Sequence, residues 1–265
     1  MYSPFQLVVK YIRYKINASN AKGHGVHSPF VYDFIRKVLL DNRTFYSYEA
    51  IEACRKQMLQ DQRVLQIEDF GAGSRIKKTN QRRVSEIAKS SLKPKKFSQL
   101  IFRIINYYGS GNVLELGTSL GITTAYMAAA KEDADIYTME GSTEIAKIAK
   151  ANFDHLQLKN IQVIVGNFDL NLPPFLANSP KLDLVFIDGN HRYEPTINYF
   201  KQLLPNIKEE SILIFDDIHW SQEMEHAWEE IQQHPQVRVT IDLFFIGLVF
   251  FRKENKIKQH FSINF

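Results

Sequence analysis

The sequence predicts an α/β fold: a doubly wound, mostly parallel sheet with an N-terminal helical cap. Three observations predict it. From Val113 to Phe251, short apolar runs alternate with stretches of helical periodicity, the pattern of strand–helix–strand units. The runs end in clusters of Gly, Asp, Glu and Asn, and open α/β sheets bind their ligands outside the carboxyl ends of the strands. Charge also divides near residue 110. The first 110 residues hold 20 Lys and Arg against 8 Asp and Glu, a balance of +12, and the other 155 hold 13 against 21, a balance of −8, which together give the net +4.

Helical patterns dominate the first part: Phe30 to Leu40, Tyr48 to Leu59, Val84 to Ser91 and Lys96 to Tyr107. Residues 1–90 read as a cap or lid region that builds an acceptor site, and residues 91–265 as the sheet domain. In His24-Gly-Val-His27-Ser-Pro-Phe30, Ser28 suits an N-cap and Pro29 a first helical position. The two histidines could instead meet a metal or an acceptor, but no further ligand lies nearby in sequence. Glu68-Asp-Phe-Gly71-Ala-Gly73-Ser-Arg75, followed by Lys77, Lys78, Arg82 and Arg83, reads as a flexible loop with a basic tail. That tail could clamp an acidic acceptor or touch nucleic acid, although a charge run is more often a solvated surface. Gly71-Ala-Gly73 lacks the Gly-Lys-Ser/Thr ending of a phosphate-gripping loop.

Val113-Leu-Glu115-Leu-Gly117-Thr118-Ser119-Leu-Gly121 is an apolar strand running into a Glu-x-Gly-x-x-x-Gly turn, with a helix following from Ile122 to Ala130. Gly117 and Gly121 let backbone approach a ligand where a Cβ would block it, and the helix start offers unpaired N–H groups. A dinucleotide fingerprint needs glycine at position 119, which is Ser here. A second strand, Ala134 to Met139, ends in Glu140-Gly141-Ser142, a carboxylate where a doubly wound fold binds a ribose diol. A helix from Thr143 to Phe153 follows, and then strand Ile161 to Val165 leads into Gly166-Asn167-Phe168-Asp169. Strand Leu182 to Ile187 delivers Asp188-Gly-Asn-His191, and strand Ser211 to Phe215 delivers Asp216-Asp217-Ile-His219 ahead of a helix from Gln222 to Gln233. Val237 to Asp242 and Leu248 to Phe251, joined around Gly247, read as a closing antiparallel pair.

The turn at 115–121 resembles motif I of the class I S-adenosylmethionine (SAM) methyltransferases. Phe186-Ile-Asp-Gly-Asn-His-Arg-Tyr-Glu194 and Ile214-Phe-Asp-Asp217 resemble the catechol- and macrocin-type branch of SAM-dependent O-methyltransferases. The resemblance spans roughly residues 90–252 and implies a seven-stranded, Rossmann-like methyltransferase sheet. It implies cofactor contacts at Glu115, Gly117, Thr118, Ser119, Gly121, Glu140, Gly141, Ser142, Asn167, Phe168 and Asp188, with Asn167 at the adenine edge and Phe168 on its face. It also implies a divalent cation on Asp188, Asp216 and Asp217, with Mg²⁺ the default for hard oxygen donors. The residues alone leave a second reading open, in which Asp188 orients a ligand and Asp216-Asp217 caps the following helix. Adjacent strand residues point to opposite faces, so both members of the pair can ligate only if the backbone has left the strand by Asp216.

Methyl transfer from a sulfonium is an in-line displacement that needs an aligned, deprotonated nucleophile. Asp188 and His191 are the catalytic candidates, His191 as general base because imidazole titrates near working pH; a locally hydrogen-bonded loop histidine is the alternative. The expected function is a metal-assisted O-methyltransferase acting on a small hydroxylated acceptor, an acidic one if the basic tail clamps it. A nucleic-acid methyltransferase is the next reading, weakened because Asp188-Gly-Asn-His stands where base-amine enzymes carry Asn/Asp-Pro-Pro-Tyr/Phe. A non-catalytic SAM-binding module is the third, and the acidic residues argue against it. A lone Cys54 excludes an internal disulfide and any multi-cysteine zinc site. No apolar run is long enough to span a bilayer and nothing resembles a signal peptide, so a cytoplasmic enzyme without a membrane partner is expected. The resemblance permits a homodimer without requiring one.

Overall fold

The computed structural model describes residues 1–19, 27–67 and 81–265. His24 and the stretch from Glu68 through Lys78 therefore lie outside the described residues. The chain divides into two compact units, Met1–Asp41 with Pro180–Phe265, and Asn42–Ser179.

In the unit Asn42–Ser179, helix α3 (Ser47–Gln60) precedes a short hairpin of β1 (Val64–Gln66) and β2 (Gln81–Arg83), then α4 (Val84–Ser91) and α5 (Lys95–Tyr108). Helix α5 ends at Gly109, whose φ of 67° is the left-handed C-cap that glycine adopts without a Cβ penalty. Strands β3 (Asn112–Leu116), β4 (Asp135–Glu140) and β5 (Ile161–Val165) then pair in parallel, β4 in the middle. The crossovers are α6 (Ile122–Ala130) and α7 (Thr143–His155), and α8 (Phe168–Asn178) follows β5. Every residue of α6 is buried, which explains its small, apolar and threonine composition, since a helix enclosed on all sides has no polar face to present. A cluster of Met58, Leu65, Val84, Ile87, Leu120 and Ile145 joins α3, β1, α4 and α7 to the loop after β3 through Leu120.

In the other unit, α1 (Pro4–Asn17) is followed by α2 (Pro29–Phe34), which continues as a π-helical turn over Ile35–Leu39. Ser28 Oγ accepts the Val31 N–H and Pro29 opens α2, as the sequence predicts. Strand β6 (Leu182–Ile187) pairs in parallel with β7 (Ile207–Asp216), with α9 (Tyr193–Leu203) between them in sequence. After α10 (Gln222–Gln233), β8 (Val239–Asp242) and β9 (Ile246–Phe250) form the expected antiparallel pair, and β9 also runs antiparallel to β7. The fold class is thus the predicted α/β one, mostly parallel, with two corrections. Strand β10 (Gln259–Ser262) pairs in parallel with β8, so among the described residues the strands outside the β1–β2 hairpin number eight where seven were expected. Gly247 lies inside β9 rather than in the connection, which is residues 243–245.

The reason for Gly247 is contact. A Cβ there would meet the Trp228 ring of α10 at 2.5–2.9 Å, so the indole packs directly on the strand backbone. Gly247→Ala is expected to destabilise the fold by about 1–3 kcal/mol, the cost of forcing an atom into a packed contact. Urea unfolding would show a lowered midpoint at unchanged slope; an unchanged midpoint would refute the contact.

Candidate functional site

Two constellations correspond to the predicted residues, one in each unit. In Asn42–Ser179 it is the loop between β3 and α6. Gly117 (φ 112°), Ser119 (φ 49°) and Gly121 (φ 80°) all have left-handed backbone, so the turn reverses within five residues. Gly121 is doubly constrained, because a Cβ would meet Phe153 Cε1 at 2.5 Å. The N–H groups of Gly117 and Thr118 donate to Met139 O at 3.0 and 3.1 Å, stitching the loop to the end of β4. Glu140 holds the opposite side: its Oε2 accepts the Ser119 N–H and its Oε1 the Ser142 N–H, both at 2.9 Å. Ser142 is the N-cap of α7, Gly141 lies between the two, and the carboxylate sits at the strand end as predicted.

Glu115, implied as a cofactor contact, lies beneath the loop. Its side chain is wholly buried, and its Oε2 accepts from Thr124 Oγ1 of α6 at 2.5 Å and from Thr138 Oγ1 of β4 at 2.6 Å. Thr138 Oγ1 is also 2.6 Å from Thr118 Oγ1 in the loop. Oε1 is buried with no hydrogen-bond partner. Burial pushes the carboxyl up to about 7, against the lowering effect of the two threonine hydroxyls. Asn167 takes a structural position as the N-cap of α8, its Oδ1 accepting the Asp169 N–H at 2.8 Å, and half-buried Phe168 opens that helix.

In the other unit, Asp188, His191 and Asp216 come together after β6 and at the end of β7, with one potential ligand atom of each within 4.8 Å of the others. His191 Nε2 is 3.6 Å from Asp188 Oδ1. Asn190, at φ 53°, supplies the left-handed turn that returns His191 toward Asp188, a conformation asparagine tolerates better than most residues. Asp216 is buried and the two others half-buried. Asp217 is not a member of this group. Asp216 is still the last residue of β7, and the chain turns only at Asp217, whose φ is 52° and whose N–H donates to Phe245 O at 2.7 Å. The capping alternative is not what the structure contains either, since Ser221 Oγ caps α10 by accepting the Met224 N–H at 3.2 Å.

His219 is excluded as a base. Its Nδ1 lies 3.0 Å from Glu225 Oε1 and its Nε2 2.8 Å from Asp242 Oδ2, so neither ring nitrogen is open. Burial disfavours its charge, but the Asp242 and Glu225 carboxylates prevail and hold the imidazole up at about 9.

Residues 114–218 match the family model described as a methyltransferase domain, a segment containing nearly all of both constellations. A 63-residue stretch is 36% identical to the protein-L-isoaspartate O-methyltransferase of Pyrococcus horikoshii, covering 24% of this chain and 28% of that protein. Among solved structures, the SAH-bound O-methyltransferase of Bacillus cereus aligns with 83% of this chain and 96% of its own, at a TM-score of 0.55 and 17% identity. The SAH-bound methyltransferase of Podospora anserina aligns over 95% and 97%, at 0.58 and 12%. The SAM complex of a Streptomyces achromogenes O-methyltransferase of tomaymycin synthesis aligns over 84% and 95%, at 0.56 and 16%. At these identities the likeness establishes the fold.

The buried Glu115 generates a pH prediction. A carboxyl whose folded value is raised stabilises the fold fully below its unfolded value near 4.5 and loses that contribution as pH rises through about 7. The stability advantage of the wild type over Glu115→Gln should therefore shrink by about 3 kcal/mol between those limits, measured by urea unfolding across pH. A pH-independent difference would contradict it.

Proposed function

We propose that this chain, whose residues 114–218 match a methyltransferase-domain family model, is a class I SAM-dependent enzyme that transfers the methyl group of SAM to a hydroxyl oxygen of a small acceptor. The observation that carries the O-methyl reading is the meeting of Asp188, His191 and Asp216. The cofactor is assigned to the 117–121 loop, where closely approaching backbone and the start of α6 suit the methionine carboxylate. Glu140 is assigned to the ribose, because each carboxylate oxygen accepts one backbone N–H and keeps a second lone pair for a ribose hydroxyl.

The donor set fits a divalent cation: two carboxylates and an imidazole suit Mn²⁺ as well as Mg²⁺, because one nitrogen ligand softens the oxygen set. Asp188 and Asp216 would hold it, with His191 as third ligand or as base. A bound dication supplies acidification of the acceptor hydroxyl and stabilises its oxyanion. The chain's own residues do the rest. His191 takes the acceptor proton, and the Asp188 carboxylate 3.6 Å away stabilises the resulting imidazolium. The oxygen then attacks the methyl carbon in line as the carbon–sulfur bond breaks, and S-adenosylhomocysteine (SAH) leaves. A metal-free variant, with the Asp188–His191 pair alone as the base, is the second reading, favoured by the absence of Asp217 from the cluster. Acceptor selection is assigned to residues 1–90. Nucleic acid is the less favoured acceptor, because Asp188-Gly-Asn-His stands where base-amine enzymes carry Asn/Asp-Pro-Pro-Tyr/Phe. An intracellular location accords with SAM as a metabolite of the cell interior.

Calorimetry on metal-stripped protein tests both parts. SAH should bind with micromolar affinity, weakened about tenfold or more in Glu140→Ala, which loses a charge-assisted hydrogen bond. Mn²⁺ binding should vanish in Asp188→Ala and in Asp216→Ala and persist in Asp217→Ala. Absence of SAH binding refutes the methyltransferase reading; absence of cation binding with SAH binding intact leaves the metal-free variant.

A further inference from the structure

Helix α1 has apolar residues on two opposite faces. Leu7, Tyr11 and Tyr14 turn toward the body, where Tyr11 packs edge-on against Phe244 with ring centroids 5.0 Å apart and Tyr14 donates its hydroxyl to Ile263 O. The other face carries Phe5, Val8, Val9, Ile12 and Ile16, all 41–77% exposed. Their spacing of three, four, seven and eleven from Phe5 puts them in one stripe about 16 Å long. Polar tethers fix which way the stripe points. Tyr2 and Lys10 donate to the Glu225 carboxylate at 2.6 and 2.9 Å, and Lys15 donates to Asn264 Oδ1. Rotating α1 to bury the stripe would break every one of these contacts.

Residues 4–17 contain Lys10, Arg13 and Lys15 and no Asp or Glu. On a helical projection Arg13 and Lys15 flank the stripe on either side, and Arg13 is exposed. We propose that α1 is a docking surface for an anionic lipid bilayer, lying in the interface plane with its apolar stripe among the acyl chains and the exposed Arg13 at the headgroups. Two features favour a bilayer over a second copy of the chain. Two apposed α1 helices would bring basic flanks together with no acidic residue on either to offset them. Five side chains on so short a helix also fall well below the roughly 800 Å² per partner of a stable protein interface, whereas interfacial helices bind in proportion to whatever apolar area and charge they offer. Lying on a bilayer is distinct from spanning one: among the described residues no helix is long and apolar enough to cross a membrane.

Vesicle co-sedimentation of the full chain tests this. The wild type should pellet with vesicles of phosphatidylcholine and phosphatidylserine, far less with phosphatidylcholine alone, and less again at high salt. The Val9→Glu/Ile12→Glu double variant, altered only at exposed positions, should keep its far-UV circular dichroism and SAH binding yet lose about tenfold or more in vesicle affinity. Arg13→Glu should weaken binding to the anionic vesicles alone. No sedimentation with the anionic vesicles overturns the proposal, as does sedimentation that the double variant retains. A dimer in light scattering that the double variant splits, without vesicle binding by the wild type, assigns the stripe to a second copy and also overturns it.

Discussion

The cofactor-type loop depends on one buried carboxylate. Glu115 sits on β3, its hydrogen-bond donors Thr124 and Thr138 sit on α6 and β4, and Thr138 in turn touches Thr118 of the loop itself. Strand, crossover helix and neighbouring strand are thereby tied at the point where the chain turns through three left-handed residues. Burying a carboxyl is costly unless its oxygens are satisfied, and here only one of them is. The proton that burial favours makes the group neutral over much of the accessible pH range. Glu115 therefore positions the loop, and Glu140 at the end of the next strand clamps it from the other side.

The second constellation obeys a different constraint. Side chains alternate along a strand, so Asp216 and Asp217 cannot face the same ligand while the backbone stays extended. The chain stays extended through Asp216 and turns one residue later. The third member of the cluster comes instead from the loop after β6, where Asn190 turns the backbone and brings His191 to Asp188. Exchanging a carboxylate for an imidazole lowers the negative charge of the group and gives it a proton acceptor, which makes a base-assisted and a cation-assisted activation of a hydroxyl compatible with the same three residues.

Much of this was legible in the sequence because it is local. The bounds of Val84–Ser91, Ile122–Ala130 and Gln222–Gln233 match their periodicity to the residue, and the strand-end carboxylates follow from runs that must stop where polarity begins. What was not legible depends on contacts distant in sequence or on single dihedral angles. Helix α8 contains Pro173 and Pro174, which read as breakers. Strand β10 is four polar-rich residues held as a strand by pairing with the edge of β8, a contact distant in sequence. Gly247 reads as a turn until Trp228 is found against it. The role of Glu115 had a usable signal: a glutamate between leucines in a strand of the kind buried on both faces must be buried too. That His191, and not Asp217, groups with Asp188 and Asp216 had none, because it rests on single left-handed residues at Asn190 and Asp217.

The most direct test of the account is a crystal structure of the protein grown with SAH and Mn²⁺, read by anomalous scattering at the manganese edge. SAH should lie against Gly117–Gly121 with its ribose at Glu140, and an anomalous peak should be bonded to Asp188 and Asp216 and not to Asp217. SAH bound elsewhere, or manganese bonded to Asp217 with Asp188 left out, would contradict it.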